Sequence, residues 1–229
     1  MERSALIYIS TKSYKVPGTR FQEQSSRGTD MSIVVEHEKR RHEILGRALD
    51  VFMDEGFEDA TFQKIADKCG ITRTTLYIYF KNKREIFNYS IKQLLQKVES
   101  DITEIRRKKG VSHTEKLTRI MTVILDGLEG NSRLLSVVLN YLIYISKGDS
   151  DPAYRVRRRT VRVRHILATI LIEGIKAGEF APSINLKDAN DLLYSFLEAA
   201  VFRLVVLRRD SVNELKEVMK LAISRFATA

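Results

Sequence analysis

Two short helical segments separated by a glycine constrain this chain more than any other feature. They lie in the stretch TFQKIADKCGITRTTLYIYFKNK, which begins at Thr61. Thr61 and Thr72 each precede a helical segment, and a threonine oxygen in that position accepts hydrogen bonds from the free N–H groups of the first turn. Gly70 can adopt the positive φ that a tight turn between two helices needs. The pattern predicts a helix-turn-helix, with helices over residues 61–68 and 72–80.

The second of these helices has one apolar face and one face of mixed chemistry. Leu76 and Phe80 are four residues apart, so they share a side and can pack inward. The other face carries Arg73, Thr74, Tyr77 and Ile78. A guanidinium, a hydroxyl with a methyl group, a phenol and an apolar tip are groups that read base edges and thymine methyls in the major groove. We therefore expect this helix to read DNA, with Lys81 and Lys83 placed to contact phosphates.

The sequence GITRTTLYIYFKNK, followed by Glu85-Ile86-Phe87, is similar to the signature of the TetR family of bacterial transcriptional regulators. The turn glycine, the Leu-Tyr-x-Tyr-Phe core and the trailing Lys-x-Lys match together, over residues 40–87. The resemblance implies an all-α fold of nine or ten helices. An N-terminal three-helix helix-turn-helix head would bind DNA, and a C-terminal helical domain would bind a ligand and dimerise. Arg73 and Ile78 depart from the residues common at those positions in the family.

The resemblance also implies roles for the head residues. Those expected mainly to position the head on phosphates are Thr61, Gln63, Thr72, Tyr79 and Lys83. Those expected to read or approach bases are Arg73, Thr74, Thr75, Tyr77 and Ile78. The implied function is a ligand-responsive homodimeric repressor on a palindromic operator, with half-sites about one helical turn apart. A TetR-like activator without a small-molecule effector and a helical protein-interaction adaptor are the alternatives.

Composition agrees with a helical protein that has a polyanionic partner. The 229 residues include only 3 prolines and 11 glycines, and 44% are hydrophobic. The net charge of +10 favours nucleic-acid partners, although the charge is spread along the chain. A single cysteine fits a reducing cytoplasm. No apolar run approaches the roughly 20 residues of a membrane span, so we expect a cytoplasmic protein without a membrane partner.

Capping residues and glycines divide the chain into helices and three regions. We expect a flexible N-terminal extension over residues 1–36, the DNA-binding domain over 37–84, and the effector-binding and dimerisation domain over 85–229. Met31 as the true start is an alternative for the first region, as is a basic arm formed by Lys12, Lys15, Arg20 and Arg27. Predicted helices outside the helix-turn-helix cover 37–55, 84–108, 112–129, 131–147, 152–177, 186–209 and 211–226. Ser112 and Ser211 begin sequences typical of capping boxes.

The helices over 152–177 and 186–209 are expected to form the dimer interface, because the resemblance implies a four-helix pairing of these segments with their copies. The second of them is unusually apolar for a monomer surface. The candidate interface residues are Val161, Ala168, Ile172, Phe196, Ala199, Ala200 and Leu204. A helix buried within one subunit is the alternative.

The effector is expected to bind within the C-terminal domain, but the sequence does not name it. Polar residues among apolar neighbours supply the candidates Tyr89, Asn140, Tyr141, Tyr144 and His165. Ordinary core packing is the alternative for each. The arginine-rich run over 154–165 is expected to be a solvated face paired with acidic neighbours. A lining for an acidic effector, such as a carboxylate or an acyl thioester, is the other possibility.

No pattern of catalytic or metal-binding residues accompanies these helices. The four histidines are scattered, and the chain lacks a zinc-protease motif, a glycine-rich phosphate loop, a nucleophile elbow and a cysteine pair. We therefore expect no enzyme activity, no metal and no cofactor. Cys69 lies in the helix-turn-helix turn, where a small buried residue is expected, and a redox switch is the alternative.

Overall fold

The computed structural model describes residues 27–146 and 152–228, with side chains over 35–145 and 161–228. These ranges contain nine α-helices and no strand beyond a single bridge between Phe180 and Ala227. The predicted all-α fold is confirmed. The helices are α1 Arg27–Asp59, α2 Phe62–Cys69, α3 Arg73–Tyr79, α4 Lys83–Arg107, α5 His113–Gly130, α6 Ser132–Ser146, α7 Pro152–Lys176, α8 Leu186–Val201 and α9 Asn213–Ser224, with a π-helical turn, Phe202–Val206, directly after α8.

The first helix differs from its prediction at the N-terminal end. It begins at Arg27 instead of residue 37, and no proline or glycine over 29–36 opposes helix there. Gly56, with φ 82° and ψ 174°, interrupts the helix just after its predicted end. The described residues from 39 onward form one compact unit. The proposed arm residues Lys12, Lys15 and Arg20 lie outside the described residues, and the side chain of Arg27 does too.

An aromatic cluster holds the first helices of this unit together, and we call residues 39–91 the head. Phe52, Phe57 and Phe87 are buried with ring centroids 4.9–6.0 Å apart. Tyr141 of α6 joins them, 4.4 Å from Phe57 and 4.8 Å from Phe87. Fully burying one such ring stabilises the fold by about 1.5–3 kcal/mol. The cluster therefore ties α6 to the head.

A second hydrophobic cluster fills the remaining helices, residues 92–228, which we call the body. Four helices, α5, α7, α8 and α9, contribute most of its buried side chains. The fully buried members include Leu117, Ile120, Met121, Leu125, Leu167, Leu171, Leu193, Met219 and Ile223. Within each helix they recur at helical spacing, which gives each of these helices a buried face.

Lys216 of α9 lies between two carboxylates of α5. Its Nζ is 2.6 Å from Asp126 Oδ1 and 3.1 Å from Glu129 Oε2, and its side chain is 12% exposed. The bond to Asp126 is the main cause of a raised pKa of Lys216, with burial acting against it and Glu129 with it. Glu129 also accepts a hydrogen bond of 3.1 Å from the Val212 backbone N–H. These bonds fix the start of α9 against α5.

Two predicted helix ends are wrong, one because of a π-helical turn and the other because a different residue is the N-cap. The helix predicted to reach residue 209 ends as an α-helix at Val201, because the next turn is π-helical. The second predicted capping box does not form: Val212 is the N-cap of α9, and Ser211 Oγ accepts only from the Asn213 N–H at 3.2 Å. Ser112, in contrast, caps α5 as predicted by accepting from the Glu115 N–H at 3.1 Å.

Candidate nucleic-acid interface

The position of α3 is fixed by its caps and by two buried anchors. Thr72 Oγ1 accepts from the Thr75 N–H at 3.1 Å, and Gly70 has the predicted positive φ of 66° in the preceding turn. Leu76 and Phe80 are fully buried in the head. Because both anchors lie on one side of α3, the opposite side faces outward, as the sequence predicted.

The outward side of α3 presents an organised set of side chains. Ile78 is 70% exposed and Tyr77 49% exposed. The Tyr77 ring stacks on Phe62 of α2, with centroids 4.6 Å apart. Arg73 donates a hydrogen bond of 3.2 Å to the Tyr77 hydroxyl, and its guanidinium lies 5.7 Å from that ring. The phenol therefore holds the guanidinium at the surface, with donor groups remaining for a partner.

Most residues predicted to contact DNA are exposed on the head. Thr61, Gln63, Thr72, Arg73, Thr74, Tyr77 and Ile78 are exposed, whereas Thr75 and Tyr79 are half-buried. Several of their polar groups already have partners within the head. Thr61 Oγ1 accepts from the Lys64 N–H at 3.2 Å, and Gln63 Nε2 donates to Asp67 Oδ1 at 2.7 Å. Thr75 Oγ1 lies 2.8 Å from Thr72 Oγ1.

Lys83 does not occupy the position expected of a phosphate contact. Its Nζ donates to the Glu58 carbonyl oxygen at 2.8 Å and lies 4.6 Å from the centroid of the Phe57 ring. Burial lowers the pKa of Lys83, while Asp59 and Glu58 act in the opposite direction. Because the ammonium is directed into the head, the prediction that Lys83 positions DNA is not supported by this geometry. Its visible role is to tie α4 to the end of α1.

Sequence reasoning missed the residue that opens α4. Asn82 Oδ1 accepts from the Glu85 N–H at 2.9 Å, and Glu85 Oε2 accepts from the Lys81 N–H at 2.6 Å. Together they form the reciprocal cap that the sequence Asn-Lys-Arg-Glu allows. The cap orders the backbone that joins α3 to α4, next to the outward side of α3.

The five effector candidates do not form one pocket. Asn140, Tyr141 and Tyr144 line a cavity of about 320 Å³ between α6 and residues 55–59 of the head. Tyr89 instead packs in the head, with the Arg41 guanidinium 4.4 Å from its ring. His165 is exposed on α7. The same cavity is also lined by three acidic residues that were not predicted for it, Glu55, Glu58 and Asp59.

The seven interface candidates divide into exposed and buried residues. Phe196, Ala200 and Leu204 belong to the buried core of the subunit, so core packing is the correct interpretation for these three. Val161 and Ile172 are exposed, and Ala168 and Ala199 are half-buried. Other exposed apolar side chains, on α8 and the turn that follows it, are those of Leu192, Phe202, Val206 and Leu207. The π-helical turn changes the helical register after residue 201, which periodicity cannot reveal.

Two arginines of the basic run pair with acidic neighbours, as predicted. Arg162 Nη1 lies 2.7 Å from Glu99 Oε1, and Arg164 pairs with Asp191 while its guanidinium lies 4.0 Å from the Tyr194 ring. The side chains of residues 154–160 lie outside the described residues. Ion pairing therefore accounts for the described part of the run.

The remaining chemical groups give no sign of a reactive centre in the described chain. Cys69 is buried, and burial raises the pKa of its thiol more than Arg47 and Arg40 lower it. A neutral buried thiol is a poor nucleophile, which does not favour the redox alternative. The side chains over 35–145 and 161–228 contain no cluster of potential metal ligands. Within the described helices, none combines the length and apolarity of a membrane span.

Comparison with known proteins matches the head to the model of one protein family, and most of the chain is similar to named transcriptional regulators. A family model described as "Bacterial regulatory proteins, tetR family" matches residues 44–89. The fatty acid metabolism regulator protein of Bacillus subtilis is 25% identical over 80% of this chain and 93% of its own length. The transcriptional repressor KstR2 of Mycolicibacterium smegmatis is 29% identical over 69% of this chain and 74% of its own.

Two solved structures illustrate the shared fold. A TetR transcription regulator from Haloarcula marismortui superposes with a TM-score of 0.68 at 21% identity, covering 83% of this chain and 97% of its own. The transcriptional regulator FadR from Bacillus subtilis, in complex with stearoyl-CoA, superposes with a TM-score of 0.62 at 21% identity, covering 81% and 97%. At this identity the likeness shows the fold.

Proposed function

Because this chain belongs to the TetR family of DNA-binding transcriptional regulators, we propose that it is a homodimeric repressor that releases its operator when a small molecule binds. The outward side of α3 carries this proposal. This side combines the donor groups of Arg73 with the exposed tip of Ile78. The buried anchors Leu76 and Phe80 hold α3 rigidly in the head. A pre-positioned guanidinium suits a guanine edge, and an apolar tip suits a thymine methyl.

The ends of α2 and α3 would position this reading surface on the DNA backbone. Thr61, Gln63 and Thr72 are exposed beside α3 and offer hydroxyl and amide groups to phosphates. Lys81 follows α3 and is exposed as well. Lys83 is left out of this set because its ammonium binds a backbone carbonyl of the head. The proposal places the protein in the cytoplasm, with the DNA that it would bind.

A homodimer would place two such heads on one face of the duplex. The exposed apolar residues Val161 and Ile172 of α7 and Leu192 of α8 support a surface that a second copy covers. A two-fold axis then matches a palindromic operator with half-sites about one helical turn apart. The dimer interface of this proposal is smaller than the sequence analysis expected, because three of its candidate residues are core residues.

The contact between α6 and the head offers a route from ligand to DNA. Tyr141 packs on Phe57 and Phe87, and Phe87 lies on α4, the helix that follows the reading head. A ligand that shifts α6 or α4 would change how the two heads are spaced. Such a ligand must bind the two arrangements with different affinity, since otherwise it cannot shift their populations.

The effector class to test first is suggested by the relatives. One relative is named for fatty acid metabolism, and one structural neighbour holds stearoyl-CoA. We therefore propose a CoA thioester as the effector class. The proposal requires no catalytic step and assigns none to any residue.

The testing experiment is genomic-fragment selection with the purified protein, followed by footprinting at a stated salt concentration. The proposal predicts that the protein protects a palindromic DNA site and that its affinity for this site falls when the effector is added. Sequence-blind binding that disappears with modest salt would contradict the proposal and favour the adaptor. A specific site that acyl-CoA does not affect would retain the regulator and reject the proposed effector class.

A further inference from the structure

A basic segment of the body plays no part in the proposed DNA interface. It runs over residues 202–211, from the π-helical turn to the loop before α9, and we call it the arginine turn. The Leu207 N–H donates to the Phe202 carbonyl oxygen at 3.1 Å, which closes the π-helical turn. The Arg209 N–H then donates to the Arg203 carbonyl oxygen at 3.0 Å. This second bond brings two arginines that are six residues apart next to each other.

The arginines of this segment have no acidic partner among the described residues. Arg203 is half-buried, and Arg208 and Arg209 are exposed. None of the three forms an ion pair with any described carboxylate, whereas Arg162 and Arg164 of α7 both do. Guanidinium groups that form no ion pair keep their donor groups available for an anion.

A cavity of about 470 Å³ lies against the arginine turn. Its lining includes the guanidinium-bearing residues Arg203 and Arg209, together with Ser211 and Asn213. The Ser211 hydroxyl also hydrogen-bonds the Glu129 carboxylate. The Asn213 amide and the two arginines therefore supply the donors for phosphate oxygens, which arginine can bind through two parallel hydrogen bonds. Glu214 also lines the cavity, and its charge limits the number of negative charges that the cavity favours.

The backbone of the segment is unusual at two neighbouring places. Phe202–Val206 is π-helical, and Arg208 has φ 51°, the only positive φ of a non-glycine residue in the described chain. π-Helical turns occur often at functional sites, and a left-handed arginine is energetically unfavourable. The π-helical turn contains Arg203, and Arg208 directly precedes Arg209, so the two irregularities adjoin the two arginines that line the cavity.

We propose that the arginine turn binds a phosphate group of a small molecule. The convergence of Arg203 and Arg209 on one cavity with Ser211 and Asn213 supports this chemistry. The exposed apolar side chains of Phe202 and Leu207 adjoin the arginines, so the preferred molecule carries an apolar portion as well as its phosphates. That this molecule is also the effector rests on the proposed function.

Calorimetric titration of the full chain without DNA tests the site, with inorganic pyrophosphate and coenzyme A as probes. The variant Arg203→Gln/Arg209→Gln should weaken binding of both probes by roughly tenfold or more, because it removes both guanidinium groups that line the cavity. The matched control is Arg107→Gln/Arg225→Gln, which removes two exposed arginines that form no ion pair with described residues. It should change binding by no more than about twofold.

A single substitution distinguishes recognition by the guanidinium fork from attraction by positive charge alone. Arg203→Lys keeps the charge but loses the planar fork, and it should weaken binding while the thermal midpoint stays unchanged. Equal losses in the double variant and its control, or no binding of either probe, would overturn the proposal. So would a double variant whose operator affinity falls without any probe, because the arginines would then contact DNA phosphates. The titrations need no operator, so a failure of the proposed function leaves their outcome unaffected.

Discussion

Replacing Lys83 with alanine is expected to destabilise the protein without altering which DNA sequence it prefers. The substitution removes a hydrogen bond of 2.8 Å from the ammonium to the Glu58 carbonyl oxygen and a contact of 4.6 Å with the Phe57 ring. A hydrogen bond to a charged group is worth about 1.5–3 kcal/mol. A cation–π contact adds about 0.5–1 kcal/mol. The desolvation that lowers the pKa of Lys83 offsets part of this sum, which leaves a loss of about 2 kcal/mol.

Thermal unfolding and operator titration together measure this prediction. For a chain of this length, about 2 kcal/mol corresponds to a fall of roughly 4–8 °C in the midpoint. Lys92→Ala, at an exposed lysine of the same helix, is the control and should leave the midpoint nearly unchanged. A Lys83→Ala protein with an unchanged midpoint and uniformly weaker binding to all DNA sequences would show that Lys83 contacts phosphate, and would refute the stated role.

The lowered pKa of Lys83 predicts the direction in which its contribution to protein stability changes with pH. Its pKa is lower in the folded protein than the ordinary value of 10.5, so the unfolded state binds the proton more tightly. The cost of burying the charge is present at neutral pH, and it diminishes as the pH rises through the folded pKa towards 10.5. The stability difference between wild type and Lys83→Met should therefore move in favour of wild type in that alkaline range. A constant difference would contradict the lowered pKa.

Three further changes test other parts of the account. Tyr77→Phe keeps the stacked ring but removes the acceptor that holds Arg73, and operator affinity in a binding titration should fall by about 0.5–1.5 kcal/mol. Gly174→Ala should destabilise by about 1–3 kcal/mol in denaturant unfolding, because the new Cβ would overlap the buried Phe180 ring, which outweighs any gain in helix propensity. The pKa of Glu129 is lowered chiefly by the Val212 N–H and also by Lys216, although burial opposes them. Glu129 therefore stabilises the folded protein at pH values above the ordinary pKa of a glutamate, and this stabilisation is lost as the pH falls through the pKa of Glu129 in the folded state. In a plot of unfolding free energy against pH, Glu129→Gln should make the decline at acid pH less steep. Unchanged values in these assays would contradict the corresponding contacts.

Much of the head could be predicted from its sequence because its signals are local. A cap depends on a residue and its neighbours, as at Thr72, and the turn depends on Gly70 alone. The anchors Leu76 and Phe80 follow from helical spacing. The outward chemistry of α3 then follows by exclusion, since whatever is not an anchor lies on the other side.

The features that the sequence did not reveal depend on contacts between distant segments. Lys83 was expected at a phosphate, but the carbonyl of Glu58, 25 residues earlier, binds its ammonium. Ser211 was expected to cap a helix, but Glu129 on another helix binds the adjoining N–H. An apolar helix also does not distinguish a core from a dimer surface, which is why Phe196 was assigned incorrectly. Residue spacing contains none of this information.

The central claim is that the outward side of α3 reads specific bases, and base preference measured position by position tests it most directly. Selected operator sequences would be compared for wild type, Arg73→Ala and the control Arg225→Ala at one salt concentration. The account predicts that Arg73→Ala loses about 1–3 kcal/mol of discrimination at one base pair in each half-site, with other positions retained. An equal loss of affinity on specific and random DNA, with every base preference intact, would contradict it.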